Sequence, residues 1–353
     1  MTHFSLDQKS RGHRRNQSVP QPIADNLKHQ NMEKSGETLL THLEDLFLAN
    51  NVDKIEESPV GSPKDDTLQI DQVQTLVGHN GKVLTSDSNF DQSLLATAGQ
   101  DRQIKIWDLQ SFQCSKSIDA HSNQITCLKF SRSSNMLISG SFDKSVKVWN
   151  EDFETIETLL GHSSPVSAVD IHKNIICSCD TDGQLNIWNI SQQGMPLISS
   201  TKIGSTVKAS SFFPSSSLLL LLDNATFSVY DTNLFKVTFE KQTNQSKSHI
   251  SFDFHPKKEL FCIATVDGCS VWQNRNMIAS HSLGDKISSV CMLDEHVLLG
   301  AYMRIFVWNW KSGSIKSIPA HDGMVSSIRK IGDSFITASH DGSIKIWKMS
   351  QLG

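Results

Sequence analysis

Short stretches of alternating hydrophobic and polar residues recur along most of the chain. Ile104 and Ile106, or Val146 and Val148, alternate with lysine and end on a tryptophan. A period of two predicts strands with one buried and one solvated face. Upstream of each lies an apolar run ending in small residues: LLATAG, MLISGS, IICSC and FITAS. Small residues there let neighbouring sheets approach closely. A turn carrying aspartate joins the two strands. Further upstream stand Gly78-His79, Ala120-His121, Gly161-His162 and Ala320-His321.

The tryptophans give the period. Trp107, Trp149, Trp188, Trp272, Trp308 and Trp347 close successive units, at steps of 42, 39, 84, 36 and 39 residues. The long step is two units, and Tyr230 stands at its midpoint where an aromatic is due. Seven strand-rich units of this length predict an all-β, seven-bladed propeller over residues 71–349.

Within four units the polar residues keep a fixed spacing. Asp101, Asp143, Asp182 and Asp341 precede Trp107, Trp149, Trp188 and Trp347 by six. Thr97, Ser139, Ser178 and Thr337 stand four before the aspartates, and His79, His121, His162 and His321 stand 20 or 22 before them. Carboxylate, imidazole, hydroxyl and indole N–H in that order make a hydrogen-bonded chain that satisfies buried polar groups. Serine, histidine and aspartate also make catalytic triads. Here the set recurs in four units, each copy within its own, so these residues are read as structural and no catalytic residue is assigned. Three consecutive units lack the set. Asn224 and Tyr302 occupy the aspartate position in two, and Asp267 lies only five before Trp272 in the third. Lower local stability is expected there.

Ring closure is legible as well. Only six residues follow Trp347, too few for another strand. Residues 71–77, DQVQTLV, resemble the strand that precedes each later histidine. They are expected to close the last blade, which removes an open edge.

Residues 1–70 differ in composition. The first twenty carry a net charge of +3, residues 33–66 a net of −6, and aromatic and β-branched residues are scarce. Such a segment is expected to be flexible. One island, 37–50, spaces Leu39, Leu40, Leu43, Leu46 and Phe47 as on one face of a short amphipathic helix. Ser18, Ser58 and Ser62 sit in contexts that resemble phosphorylation sites. The whole chain of 353 residues has a net charge of −4, which gives no bias toward nucleic acid. Its longest leucine run, 218–222, is far below the roughly 20 residues of a membrane helix. Neither metal spacing nor a phosphate loop occurs, so no cofactor, metal, membrane or small-molecule substrate is expected. The seven cysteines are read as reduced, with Cys177 and Cys179 as core residues on one strand face.

The tetrad spacing resembles that of WD-repeat propellers. Within that class, SFDKSVKVWN, LLGHSSPVSAVDIH with ICSCDTDGQLNIW, and IPAHDGMVSSI with ITASHDGSIKIWK resemble the second, third and last repeats of plant LEUNIG-type transcriptional corepressors. HLEDLFLANNV is similar to an acidic-leucine stretch before their propeller. Those corepressors also carry an N-terminal dimerisation motif and a glutamine-rich region, which this chain does not show. It therefore resembles their propeller portion or a shortened relative.

The resemblance implies a non-catalytic scaffold that binds proteins or peptides on one rim, with transcription factors or chromatin components as partners and the nucleus as location. The other reading is a substrate receptor or assembly platform in ubiquitin ligation or cytoplasmic signalling. The resemblance marks the rim at Gln100, Phe142, Thr181 and His340, each just before an aspartate position. It also marks Lys82, Leu84, Gln124, Thr126, Lys208, His249, Lys286 and Met324 around the first apolar residue of each inner strand. Phe142 and Met324 are apolar where solvent is due, the composition of a peptide hot spot. Lys82, Lys208 and Lys286 tint that face positive, which favours an acidic or phosphorylated peptide.

Overall fold

The computed structural model describes residues 68–192, 196–212, 217–222, 224–243, 248–255, 260–273 and 276–351. They fall within one compact unit, Leu46–Gly353. The candidate helix 37–50 and Ser18, Ser58 and Ser62 lie outside the described residues. Among the described residues every regular element is a strand.

Strand β1 (Leu68–Val77) comes first. Then β2 (Val83–Ser88), β3 (Leu94–Gly99), β4 (Gln103–Asp108) and β5 (Gln113–Asp119) form the first antiparallel sheet. The second holds β6 (Ile125–Phe130), β7 (Leu137–Ser141), β8 (Ser145–Trp149) and β9 (Thr155–Leu160). The third holds β10 (Val166–His172), β11 (Ile175–Asp180), β12 (Gln184–Asn189) and β13 (Leu197–Lys202). The fourth is β14 (Val207–Phe212), β15 (Leu218–Leu222), β16 (Thr226–Asp231) and β17 (Lys236–Gln242). The fifth is β18 (His249–Phe254), β19 (Leu260–Thr265), β20 (Gly268–Gln273) and β21 (Asn276–Ser282). The remaining strands are β22 (Ser289–Met292), β23 (His296–Gly300), β24 (Tyr302–Asn309), β25 (Ile315–Ile331), β26 (Ser334–Ser339) and β27 (Ser343–Gln351). With β1 they make one seven-stranded sheet.

Seven separate blades are expected from the sequence, and five sheets of four strands stand apart. The difference lies in β25, a single strand of 17 residues. Its first part pairs with β24, up to Arg304 opposite Pro319, and its last part pairs with β26, from Val325 opposite Ser339. Where the other histidine loops bend, at 78–82, 120–124 and 161–165, residues 320–324 stay extended. Tyr302 pairs with Met324 and so carries the β24 ladder past the loop.

The predicted closure holds. β1 pairs with β27 from Leu68 opposite Gln351 to Val77 opposite Ser343, and Leu68 and Leu76 are buried under it. The strand begins three residues before the expected boundary at 71, and its partner runs two residues past 349.

Inner strands touch in the cyclic order β2, β6, β10, β14, β18, β22, β25 and back to β2, which makes the assembly a β-propeller. Each seam has an apolar core. Ile104, Ile125, Leu128 and Trp149 fill one, and Leu185, Val207, Leu220 and Tyr230 another. Cys177 and Cys179 belong to that second core, and all seven cysteines are free thiols. Most inner strands carry a β-bulge near their start, with register shifts at Val83/Thr85, Ile125/Cys127, Val166/Ala168, Val207/Ala209, His249/Ser251 and Val325/Ser327. A bulge re-aims its extra residue out of the ladder. Three such residues, Thr126, Ser167 and Ser326, donate to the next inner strand, at Val166 O (2.6 Å), Val207 O (2.7 Å) and Val83 O (2.7 Å). Ser288, in the matching place before β22, donates to Val325 O at 2.6 Å. Aspartates stitch alternate seams from the other end: Asp87, Asp170 and Asp253 accept from the backbone N–H of Phe130, Phe212 and Met292.

Candidate functional site

The polar residues at fixed spacing form closed chains inside their sheets. In the first, His79 Nδ1 lies 2.7 Å from Asp101, its Nε2 lies 2.7 Å from Thr97 Oγ1, and Trp107 Nε1 donates to the same hydroxyl at 2.8 Å. The indole N–H can only donate, so the hydroxyl accepts from it; when the hydroxyl's own proton points to Nε2, the ring proton sits on Nδ1 facing the carboxylate. His121, Asp143, Ser139 and Trp149 repeat the pattern at 3.0, 2.8 and 3.0 Å. So do His321, Asp341, Thr337 and Trp347 at 2.9, 2.8 and 2.8 Å.

The third sheet corrects the expectation. His162 pairs with Asp180 at 3.0 Å, and Asp182 is exposed and accepts from Ser164 Oγ instead. Asp180 is two residues past Ser178, so it shares that strand face. The same position in the other sheets is Gly99, Ser141 or Ser339, which carry no carboxylate. With two acids available, the one on the strand reaches the imidazole, and its second oxygen accepts from the N–H groups of Asp182 and Gln184. Ser178 still links His162 and Trp188, at 2.7 and 2.8 Å.

Burial pushes the pKa of His121, His162 and His321 down, with their carboxylates opposing it. Neutral imidazoles fit the donor order above. Burial pushes the Asp143 and Asp341 carboxyls up, but side-chain and backbone hydrogen bonds from Ser145 and Ser343 hold each at about 2. Each histidine adds a smaller lowering of its own. Each of the four histidines has both ring nitrogens engaged within its own sheet. Among the described residues no group of His, Cys, Asp and Glu is arranged to hold a metal.

The three middle units solve the same problem differently. The hydroxyl position is filled by Leu220, Ile263 and Leu299, read from their register with Tyr230, Trp272 and Trp308. Tyr230 finds Thr201 Oγ1 at 3.1 Å, and Trp272 donates to Ser270 Oγ at 2.8 Å. Trp308 Nε1 and Ser228 Oγ are buried without a hydrogen-bond partner. Aromatic packing takes over at the seam of the fourth and fifth sheets. Phe227 packs edge-on to Phe261 and Trp272, at 5.9 and 5.7 Å, and Phe261 stacks on Trp272 at 6.2 Å.

The expected rim residues separate into two groups. Lys82 with Gln100, Gln124 with Phe142, and Met324 with His340 are brought together by backbone bonds of 2.8, 2.9 and 2.9 Å at the tops of their sheets. Thr181, exposed, bonds Pro165 O in the same way. Phe142 is 45% exposed, and Lys286 is exposed beside the start of β22. His249 opens β18 opposite Thr265. Leu84, Thr126 and Lys208, by contrast, are the bulge residues and line the central channel, a cavity of about 180 Å³. Thr126 also has its hydroxyl engaged in the seam, so it sits in the wall and not on the rim. The turn at Tyr302-Met303, 60% and 42% exposed, belongs to the same rim and went unmarked in the sequence as a contact. The available signal was two large side chains in a turn that holds Asp-Arg, Asp-Lys or Asp-Gly in the tetrad units.

A family model, the WD domain or G-beta repeat, matches residues 70–108, 112–150, 153–189 and 312–348. These are the four tetrad units. The transcriptional corepressor LEUNIG_HOMOLOG of Arabidopsis thaliana is 26% identical over 310 residues, covering 82% of this chain and 38% of that protein. Nuclear distribution protein nudF 2 of Penicillium rubens is 30% identical over 145 residues, 35% of this chain and 31% of that protein. The serine-threonine kinase receptor-associated protein of Bos taurus is 21% identical over 289 residues, 79% of this chain and 70% of that protein. The chain thus spans well under two thirds of the first two relatives.

Proposed function

We propose that this chain, a WD-repeat β-propeller protein similar to the LEUNIG type, is a non-catalytic scaffold for protein interaction. It takes peptide segments of transcription or chromatin partners on the rim that carries the tetrad turns, and it acts in the nucleus as a corepressor-like regulator. In this reading the seven-stranded sheet is two blades that share β25, which gives a ring of seven. The supporting observation is the division of labour in the tetrad units. In the first two, histidine and aspartate are consumed internally, while the residue just before the aspartate, Gln100 or Phe142, is exposed on the turn. No sequence-specific nucleic-acid contact is part of the proposal, in keeping with the net charge of −4.

A second reading, an assembly platform in cytoplasmic signalling or ubiquitin ligation, draws on the likeness to the kinase receptor-associated protein over 70% of its length. Affinity purification with the full chain and a Phe142→Ala, Lys286→Ala double variant separates the two. Chromatin partners recovered by the wild type and lost by the variant support the first reading. Ligase adaptors or signalling proteins lost in the same way support the second. Equal recovery by both proteins contradicts Phe142 and Lys286 as the contacts that hold those partners.

A further inference from the structure

The turn between β23 and β24 departs from its counterparts in a way that suits binding. The turn residue that follows the aspartate position takes a positive φ in six units: Arg102 (67°), Lys144 (72°), Gly183 (77°), Ala225 (63°), Met303 (63°) and Gly342 (85°). A residue with a Cβ is strained there, and Met303 shares that strain with Arg102, Lys144 and Ala225 but alone presents a large apolar side chain. Its neighbour differs too. In three tetrad sheets the residue before the positive-φ position is an aspartate turned inward to its histidine. The sixth unit has no such pair, and Tyr302 stands there 60% exposed. Loss of the internal latch has freed an inward position to face outward.

What surrounds this turn is continuous. Tyr302 pairs with Met324 on β25, and Val325 N–H donates to Ala301 O at 3.0 Å. His340 N–H donates to Met324 O at 2.9 Å. Two residues on from His340, Gly342 lies against the first sheet's histidine loop, where an added Cβ would sit 3.1 Å from Gly81 O, next to the exposed Lys82; burial first and the Lys82 charge second lower the His340 pKa. An apolar patch on two neighbouring turns therefore leads to a cation on the first sheet.

We infer that Tyr302, Met303 and Met324 form the anchor of the rim site and that it takes an acidic peptide. One large apolar side chain of the peptide covers the patch, and a carboxylate beyond it reaches Lys82. This rests on the proposed rim reading and sharpens it, because it moves the anchor from Phe142 to the sixth turn. Aromatic and methionine side chains suit such a role, the first by rigid area and the second by adaptability.

The test is fluorescence anisotropy on the full chain. The probe is a labelled glutamate-rich dodecapeptide with one central phenylalanine, and the controls carry a central alanine or lysines in place of the glutamates. The phenylalanine probe is expected to bind, with both controls at least about tenfold weaker. Tyr302→Ser is expected to lose about tenfold or more, in the range of hot-spot truncations, and Lys82→Glu to lose severalfold. Met303→Gly is expected to weaken binding while the melting temperature holds or rises, which separates lost contact from lost fold. Unchanged binding by Tyr302→Ser overturns the anchor. If Phe142→Ala then abolishes binding, the rim reading stands without it, and if Phe142→Ala also binds normally, the rim reading falls too. Failure of the phenylalanine probe to bind, or equal binding of the lysine control, overturns the assigned ligand class.

Discussion

The first three units and the last hold their aromatic residue with a polar chain to histidine, whereas the fourth to sixth hold theirs with apolar packing and at most one hydroxyl contact. Both arrangements fill the same place in the same sheet. In the first region every buried N–H and ring nitrogen of the tetrads is partnered. In the second, leucine or isoleucine replaces the hydroxyl, and the indole N–H of Trp308 is left without a partner. A propeller sheet therefore tolerates loss of its polar chain when an aromatic cluster such as Phe227, Phe261 and Trp272 packs the seam. The tetrad is directional and sensitive to protons, and the apolar seam is neither. Removing the tetrad also frees the turn that the aspartate had held, as at Tyr302.

The largest effect tests the ring that contains both regions. Deleting residues 68–77 strips the outer strand from β27 and exposes the seats of Leu68 and Leu76. Loss of a buried leucine side chain alone costs about 2–5 kcal/mol. Calorimetry is expected to show a fall of several degrees or loss of a cooperative transition, and an unchanged melt refutes closure by this strand.

Next comes the corrected tetrad. Asp180→Ala removes a fully buried acceptor from the His162 ring N–H and the backbone N–H of Asp182 and Gln184, at a cost of about 1–3 kcal/mol. Asp182→Ala, at an exposed turn, is expected to stay within about 0.5 kcal/mol. Urea melts of the two variants check this, and the reverse order restores the original assignment.

A smaller contrast lies between the aromatic residues. Trp347→Phe and Trp308→Phe remove the same volume, but only Trp347 donates a hydrogen bond. Trp347→Phe is expected to cost about 1 kcal/mol more, the net worth of one such bond. Equal losses would show that the indole bond carries nothing.

Acid should discriminate the regions as well. His121, His162 and His321 have folded pKa values below the ordinary 6.5, so the unfolded chain binds protons first as pH falls below that value. Their stabilising contribution is complete above 6.5 and is lost on acidification. Asp143 and Asp341 act in the same sense lower down, between their ordinary 3.8 and about 2. Melting temperature is expected to fall in both windows, and a flat profile from pH 7 to 5 contradicts neutral buried imidazoles. The smallest effect is Met303→Gly, expected to stabilise by about 1 kcal/mol through release of backbone strain.

The four tetrad units were legible because their chemistry forces a spacing. A hydroxyl ten residues before its indole and an imidazole across the sheet leave few other registers. Asp182 was misread because spacing counts positions and not faces: Asp180, two past the hydroxyl, lies on the face that sees His162. The middle units carried less because an apolar seam asks only for volume, which Leu220, Ile263 and Leu299 meet without a pattern. The continuous β25 was hidden for a related reason, since 320–324 read as another histidine loop until the pairing of Tyr302 with Met324 was seen. The rim positions before each aspartate were legible from the turn. The bulge residues were not, because their aim is set by an irregularity in the ladder that leaves no mark in composition.

The most direct test of the contrast between polar and apolar units is native-state hydrogen exchange resolved by strand. Amides of β15, β19 and β23 are expected to open at lower free energy than those of β3, β7, β11 and β26, with little change between pH 7 and 5, while the tetrad strands lose protection over that range. Equal protection in all seven strands at pH 7, with a common response to acid, would contradict the account.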